Sequence, residues 1–134
     1  MTAVRVVVVD DQEQARTAIA AAASETDGFA VVAAVESGEE ALAAVSRLHP
    51  DLVLMDVNLP GIDGIEATRR ITSSTDPPVV VLLSTYDQDE VEVAGCGAAA
   101  YIAKASFGPD LLAATWADLD RTTPPPVREQ RSEC

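Results

Sequence analysis

Cysteine is scarce in this chain: Cys96 and Cys134 are the two among 134 residues. A pair of that kind makes no disulfide framework. A domain of this length buries roughly two-thirds of its unfolded surface and needs no such staple. The expected setting is a reducing cytoplasm, with Cys134 on a loose end. Basic residues are also few. Nine Lys and Arg stand against 22 Asp and Glu, a net charge of −13. A protein that neutralises nucleic-acid phosphates needs a basic face. By itself this chain is therefore a poor partner for nucleic acid and for an anionic membrane. Lysine is almost missing, since eight of the nine bases are Arg and one is Lys104. No apolar run approaches the ~18 residues of a membrane span; Val6–Val9 and Val79–Leu83 are strand-sized. The start, Met1-Thr2-Ala3-Val4-Arg5, leads directly into a strand pattern, so no secretory signal is expected. What the chain does have is 48% hydrophobic residues, too many for a disordered acidic tail. Its length suits one domain.

Short apolar runs alternate with helical patterns. Val4–Val9 reads as a buried strand. Ala15, Ala18, Ile19, Ala22 and Ala23 follow at helical spacing, closed by a turn at Asp27-Gly28. Ala30–Val35 is the second strand. Ser37 and Glu40 form a capping box. Leu42, Val45 and Leu48 then share a helix face, and His49-Pro50 stops it, with His49 as C-terminal cap. Leu52–Met55 is the third strand, ending at Asp56. Asp63 caps a helix running to about Ser73. Val79–Leu83 is the fourth strand, ending at Ser84, and Asp87–Ala94 reads as a short helix. Ala98–Ile102 is the fifth strand. Pro109 suits the first turn of a last helix in which Leu112, Thr115, Trp116 and Leu119 share a face. A Pro-rich stretch, 122–134, reads as a tail or linker after a domain spanning 1–121.

Five β–α units in strict alternation predict a parallel sheet with helices on both faces, a flavodoxin-like (βα)5 three-layer sandwich of strand order 2-1-3-4-5. In such folds ligands bind beyond the carboxyl ends of the strands. Asp10-Asp11 ends the first strand, Asp56 the third and Ser84-Thr85 the fourth, with Lys104 just past the fifth. Carboxylates about 4 Å apart repel by about 4 kcal/mol per pair at an effective dielectric of about 20. Either some are protonated or a cation sits among them. A hard divalent ion with oxygen ligands, Mg²⁺ or Mn²⁺, resolves the repulsion. Lys104 adds a compact positive charge for a phosphoryl oxygen, and Ser84 adds a hydroxyl. Singly, each residue is explained as well by a turn or a cap, Asp11 by capping the first helix. Jointly they describe a phosphoryl-acceptor site with an Asp nucleophile.

The stretches Val6–Gln12, Pro50–Gly64, Leu82–Asp87 and Gly97–Lys104 resemble the receiver domain of bacterial two-component response regulators. The resemblance covers about residues 4–120. The wording from Asp56 to Arg69 is most similar to the NarL/FixJ/LuxR-type regulators, whose full-length forms carry a C-terminal helix-turn-helix DNA-binding domain. It implies that Asp56 is the phosphoacceptor. Asp10, Asp11, Asp56 and the backbone carbonyl of Asn58 would hold the metal. Ser84 and Tyr101 would be the switch pair, and Lys104 would bind a phosphoryl oxygen. Thr85 and Tyr86 would flank the pocket, and Pro60 and Gly64 would shape the loop after the third strand. Two departures stand out. Lys104 is followed by Ala105, where the family often has a cis proline; a cis bond before Ala would cost about 3 kcal/mol, so a trans bond is expected. The stretch between Ser84 and Lys104 is also short, which predicts a short or irregular fourth helix.

The implied partners are a sensor histidine kinase or a histidine phosphotransfer protein. A homodimer through the fourth helix, fifth strand and last helix is a further expectation. The expected function is a cytoplasmic, bacterial phosphorylation switch, not a turnover enzyme. It would be either stand-alone or the receiver half of a transcription regulator. Two alternatives remain at this point. A haloacid-dehalogenase-type phosphatase also uses an Asp nucleophile, but it needs an acid two residues on, where Asn58 stands. A phosphorylation-independent interaction module would not require the set of strand-end residues.

Overall fold

The hydrophobic strands sort by residue parity, because successive side chains of a strand point to opposite sheet faces. Val7, Val9, Val53, Met55, Val80 and Leu82 pack on one side with Ala41, Ala44, Ala67 and Ile71. Val6, Val8, Leu52, Leu54, Val81, Leu83 and Ile102 pack on the other with Ile19, Ala23 and Leu112. Strands buried on both faces are near-continuous apolar runs, as the sequence shows. The computed structural model describes residues 3–84 and 97–121. Its strands are β1 (Val4–Val9), β2 (Phe29–Val35), β3 (Leu52–Asp56), β4 (Val79–Ser84) and β5 (Ala100–Ala103). The helices are α1 (Glu13–Ser24), α2 (Gly38–Leu48), α3 (Gly64–Thr72) and α4 (Pro109–Arg121). All neighbouring strands pair in parallel, in the order β2-β1-β3-β4-β5. That is the expected flavodoxin-like order. α2 and α3 cover one face, and α1 and α4 the other.

Several local expectations shift. On α2 the residues driven deepest are Ala41 and Ala44, while Leu42, Val45 and Leu48 are half-buried. Small side chains let the helix axis approach the sheet, and the larger ones seal its flanks. On α1, Ala18 is exposed and Ile19 and Ala23 carry the packing. β5 begins at Ala100, two residues later than the pattern suggests. The capping box is modified: Ser37 Oγ accepts from the Glu40 N–H at 3.1 Å, but the Glu40 carboxylate accepts from the N–H of Glu36 at 3.0 Å. Asp11 does not cap α1, whose N-cap is Gln12. His49 does end α2, in the left-handed region at φ 49°. On α4, Leu112 is buried and Trp116 half-buried, its ring edge-on to Phe29 at 6.1 Å. The expected helix over Asp87–Ala94, Thr85, Tyr86 and the 122–134 tail lie outside the described residues.

One irregularity matters for the site. Between Val6 and Val7 the β1–β2 register slips, so that Val6 faces Val31 but Val7 faces Ala33. This bulge at Val32 lengthens β2 by one residue. It places Val35 beside Val9, with the Val35 carbonyl accepting the Asp10 N–H at 3.1 Å.

Candidate phosphoryl-acceptor site

Asp10 is the first residue past β1, and it is fully buried. Its Oδ1 accepts the Gln12 N–H at 2.9 Å, folding the chain into a turn that leads to α1. Asp56 closes β3 and is 3% exposed. The chain then leaves the sheet: Val57 donates to the Leu83 carbonyl at 2.9 Å, and Asp56 Oδ1 accepts from Asn58 N at 3.3 Å. Gly64 N returns to the Val57 carbonyl at 2.9 Å, closing the loop that holds Pro60. Pro60 and Asn58 are exposed and Gly64 is buried. Lys104 opens a 3-10 turn after β5 and reaches back over the strand ends. Its Nζ lies 2.6 Å from Asp10 Oδ2 and 3.4 Å from Asp56 Oδ2.

The exposed Asp11 completes a cluster in which one carboxylate oxygen each from Asp10, Asp11 and Asp56 lies within 4.8 Å of the others. Ser84 is fully buried at the end of β4, its register partner being Ala103, next to Lys104. Tyr101, in β5, is half-buried and packs against the α2–α3 core. The bond after Lys104 is trans, as expected.

Electrostatically the site is unfinished. With all three acids ionised, one ammonium leaves two negative charges uncompensated. Burial, and then the neighbouring Asp10, push the Asp56 carboxyl up from 3.8 to about 6, against the pull of Lys104. For Lys104, burial alone would lower the pKa; the close contact of its ammonium with the Asp10 carboxylate and the charges of Asp56 and Asp10 outweigh it and hold the ammonium above its ordinary value. Among the described residues, Asp10 Oδ2 is the one buried side-chain oxygen with no well-angled hydrogen bond. Its contact with Lys104 is ionic. A hard cation fits this donor set, which consists of oxygen alone and carries excess negative charge.

Removing the ammonium that touches the carboxylates should expose this imbalance. In Lys104→Ala the buried Asp10 loses its counter-charge, so metal-free stability should fall by about 2 kcal/mol. Lys104→Arg keeps the charge and should lose less. Urea unfolding with and without a chelator checks this; an Ala variant as stable as the parent would mean that the ion pair contributes nothing.

Two contacts were not visible in the sequence. Arg16, at the end of the first turn of α1, donates from Nη1 to the Asp10 carbonyl at 3.1 Å. Glu39, on α2, reaches the loop after Asp56, its Oε2 lying 3.4 Å from Ile62 N. Both depend on how a helix lies across a strand end, which no spacing rule reveals.

Sheet order, buried aspartates and a lysine at neighbouring strand ends together define an α/β module with one acidic edge. The chain belongs to the response regulator receiver domain family, which matches residues 6–115. It is 42% identical over 103 residues to the response regulator GacA of Pseudomonas viridiflava, covering 75% of this chain and 48% of that protein. It is 37% identical over 105 residues to the transcriptional regulatory protein LiaR of Bacillus subtilis, covering 77% and 50%. The signal receiver domain of the putative response regulator NarL from Mycobacterium tuberculosis superposes with a TM-score of 0.81 at 27% identity, over 92% of this chain and all of that one. The chain thus spans about half the length of the curated relatives it matches. Among the described residues, no helix is long and apolar enough to cross a membrane.

Proposed function

We propose that this receiver domain accepts a phosphoryl group on Asp56 and relays its presence as a change of shape. The observation that carries the reading is the pairing of Asp56 with Lys104 at 3.4 Å inside a cluster of three carboxylates. The donor is a phosphohistidine on a sensor histidine kinase or a histidine phosphotransfer protein, met in the bacterial cytoplasm. An Asp56 carboxylate oxygen attacks phosphorus in line, the phosphorus–nitrogen bond breaks, and the imidazole leaves with the bonding pair. Lys104 holds a phosphoryl oxygen of the resulting acyl phosphate. Ser84 and Tyr101 are the switch residues, and their rearrangement biases the β5–α4 side of the domain toward an active state. Asp10, Asp11, Asp56 and the Asn58 carbonyl would hold Mg²⁺ or Mn²⁺, which when bound offsets negative charge on the reacting oxygens. Homodimerisation through the region around β5 and α4 belongs to the same reading, as does a DNA-binding output domain in a longer protein.

The residue two positions past Asp56 weighs against a turnover phosphatase. Asn58 cannot serve as the general acid–base that a haloacid-dehalogenase-type mechanism requires.

Incubation with Mg²⁺ and a small acyl or amide phosphodonor should add the mass of one phosphoryl group, and hydroxylamine should remove it. A chain that gains nothing, while an established receiver treated in parallel is modified, would refute the assignment.

A further inference from the structure

We infer that Arg16 is a positioning residue for the cation site: its guanidinium fixes the Asp10–Asp11 peptide and so aims the Asp11 carboxylate. The inference rests on the proposed Mg²⁺ site and deepens it.

Asp11 is the weak member of the acidic cluster. Asp10 and Asp56 are buried, and each is held by a backbone N–H. Asp11 is exposed, and among the described residues nothing bonds its side chain. Its direction therefore depends on its backbone. The peptide joining Asp10 to Asp11 is planar, so fixing the Asp10 carbonyl oxygen fixes the Asp11 nitrogen and Cα with it.

Arg16 does this from α1. Its side chain is 17% exposed, Nη1 donates to the Asp10 carbonyl at 3.1 Å, and Nη2 lies 4.0 Å from Glu36 Oε2. Glu36 follows Val35, whose carbonyl accepts the Asp10 N–H. The planar fork thus ties the end of β1 to the end of β2 on one side, while the bulged register ties them on the other. Asp10 is gripped at both its N–H and its carbonyl. Partners that orient metal ligands from one layer further out typically change metal affinity by about 10- to 100-fold when removed.

The sign of the effect separates positioning from plain electrostatics. Arg16 is a cation beside a cation site. If it acted by charge alone, its removal would tighten Mg²⁺ binding. If it positions Asp11, removal weakens binding in spite of the lost repulsion.

Mg²⁺ affinity of the whole chain can be measured by calorimetric titration with MgCl₂, alongside metal-free melting to confirm folding. Arg16→Met keeps the aliphatic stem and should weaken Mg²⁺ about 10-fold. Arg16→Lys keeps the charge but loses the fork, and should weaken it by a smaller factor. In an Asp11→Ala background the weakening by Arg16→Met should vanish, leaving only the slight tightening that the lost repulsion gives. A Met variant that binds as tightly as the parent or tighter, or an unchanged Lys variant, overturns the inference and leaves the Mg²⁺ site standing. Should the Met variant fail to melt cooperatively, the Lys variant decides on the same criterion. If the parent chain itself binds no Mg²⁺, the site assignment and this inference fall together.

Discussion

Asp56→Asn should do two opposite things: abolish phosphoryl uptake and stabilise the metal-free fold. The first follows from removal of the proposed nucleophile. The second follows from the position of the carboxylate, 3% exposed and beside a fully buried Asp10. Its pKa stands at about 6 in the folded chain, against an ordinary value of 3.8. A carboxyl whose folded pKa is raised binds protons more tightly in the native state. Its contribution to stability is therefore lost as pH rises from about 4 through about 6. A displacement of that size corresponds to at most about 3 kcal/mol. The substitution also removes one partner of Lys104, so we expect a net gain of about 2 kcal/mol at pH 7. The gain should disappear below pH ~4, where the wild-type carboxyl is protonated in both states. Saturating Mg²⁺ should narrow it from the other side: at ten times its dissociation constant a ligand adds about 1.4 kcal/mol to the state that binds it. Urea unfolding of both proteins at pH 4 and pH 7, with chelator and with Mg²⁺, gives the four stability differences. A metal-free Asn variant less stable than wild type at pH 7 would show that the carboxylate is well accommodated without a cation.

That outcome bears on how the site could be read from sequence. The strands were legible because burial on both faces forces unbroken Val and Leu runs, and strict alternation with helical patterns admits few topologies. Topology alone then puts Asp10, Asp56 and Lys104 at one edge. The lone lysine among eight arginines pointed the same way, and its Nζ does lie between the two buried acids. Less legible were features decided by how closely elements approach. Ala41 and Ala44, not Leu42 and Leu48, face the sheet most deeply, because the α2 axis lies close to it. The β2 bulge leaves no mark in Ala30–Val35, where every residue is apolar, yet it sets the register that brings Glu36 toward Arg16. Arg16 itself reads as an ordinary helix-surface residue until its bond to the Asp10 carbonyl is seen.

Close approach also governs the residue whose replacement should damage the fold most. Gly64→Ala should lower stability by about 3 kcal/mol and impair phosphoryl uptake as well. A Cβ at Gly64 would lie 2.1 Å from the Asp56 carbonyl oxygen and 2.8 Å from the Val57 Cα. These are backbone atoms, and they cannot rotate away. Either α3 must recede from the end of β3, or the β3–α3 loop must shift and carry Asp56 with it. The Gly64 N–H to Val57 carbonyl bond at 2.9 Å resists both movements.

Two other glycines calibrate the effect. Gly108 has open space where a Cβ would go and an ordinary φ, so Gly108→Ala should change stability by less than about 0.5 kcal/mol. Gly28 also has open space, but its φ is +87°. Gly28→Ala should therefore cost about 1–2 kcal/mol through backbone strain alone. For a domain of this length each kcal/mol moves the melting temperature by about 3–5 °C. The expected ranking is Gly108→Ala near the parent, Gly28→Ala a few degrees below it, and Gly64→Ala roughly 10 °C below. Only the last should also lose phosphoryl uptake, since it alone presses on the acceptor strand. A Gly64→Ala protein that melts with the parent and is phosphorylated at the parent rate would mean that the loop can yield without moving Asp56, and that the tight turn does not set the acceptor's position.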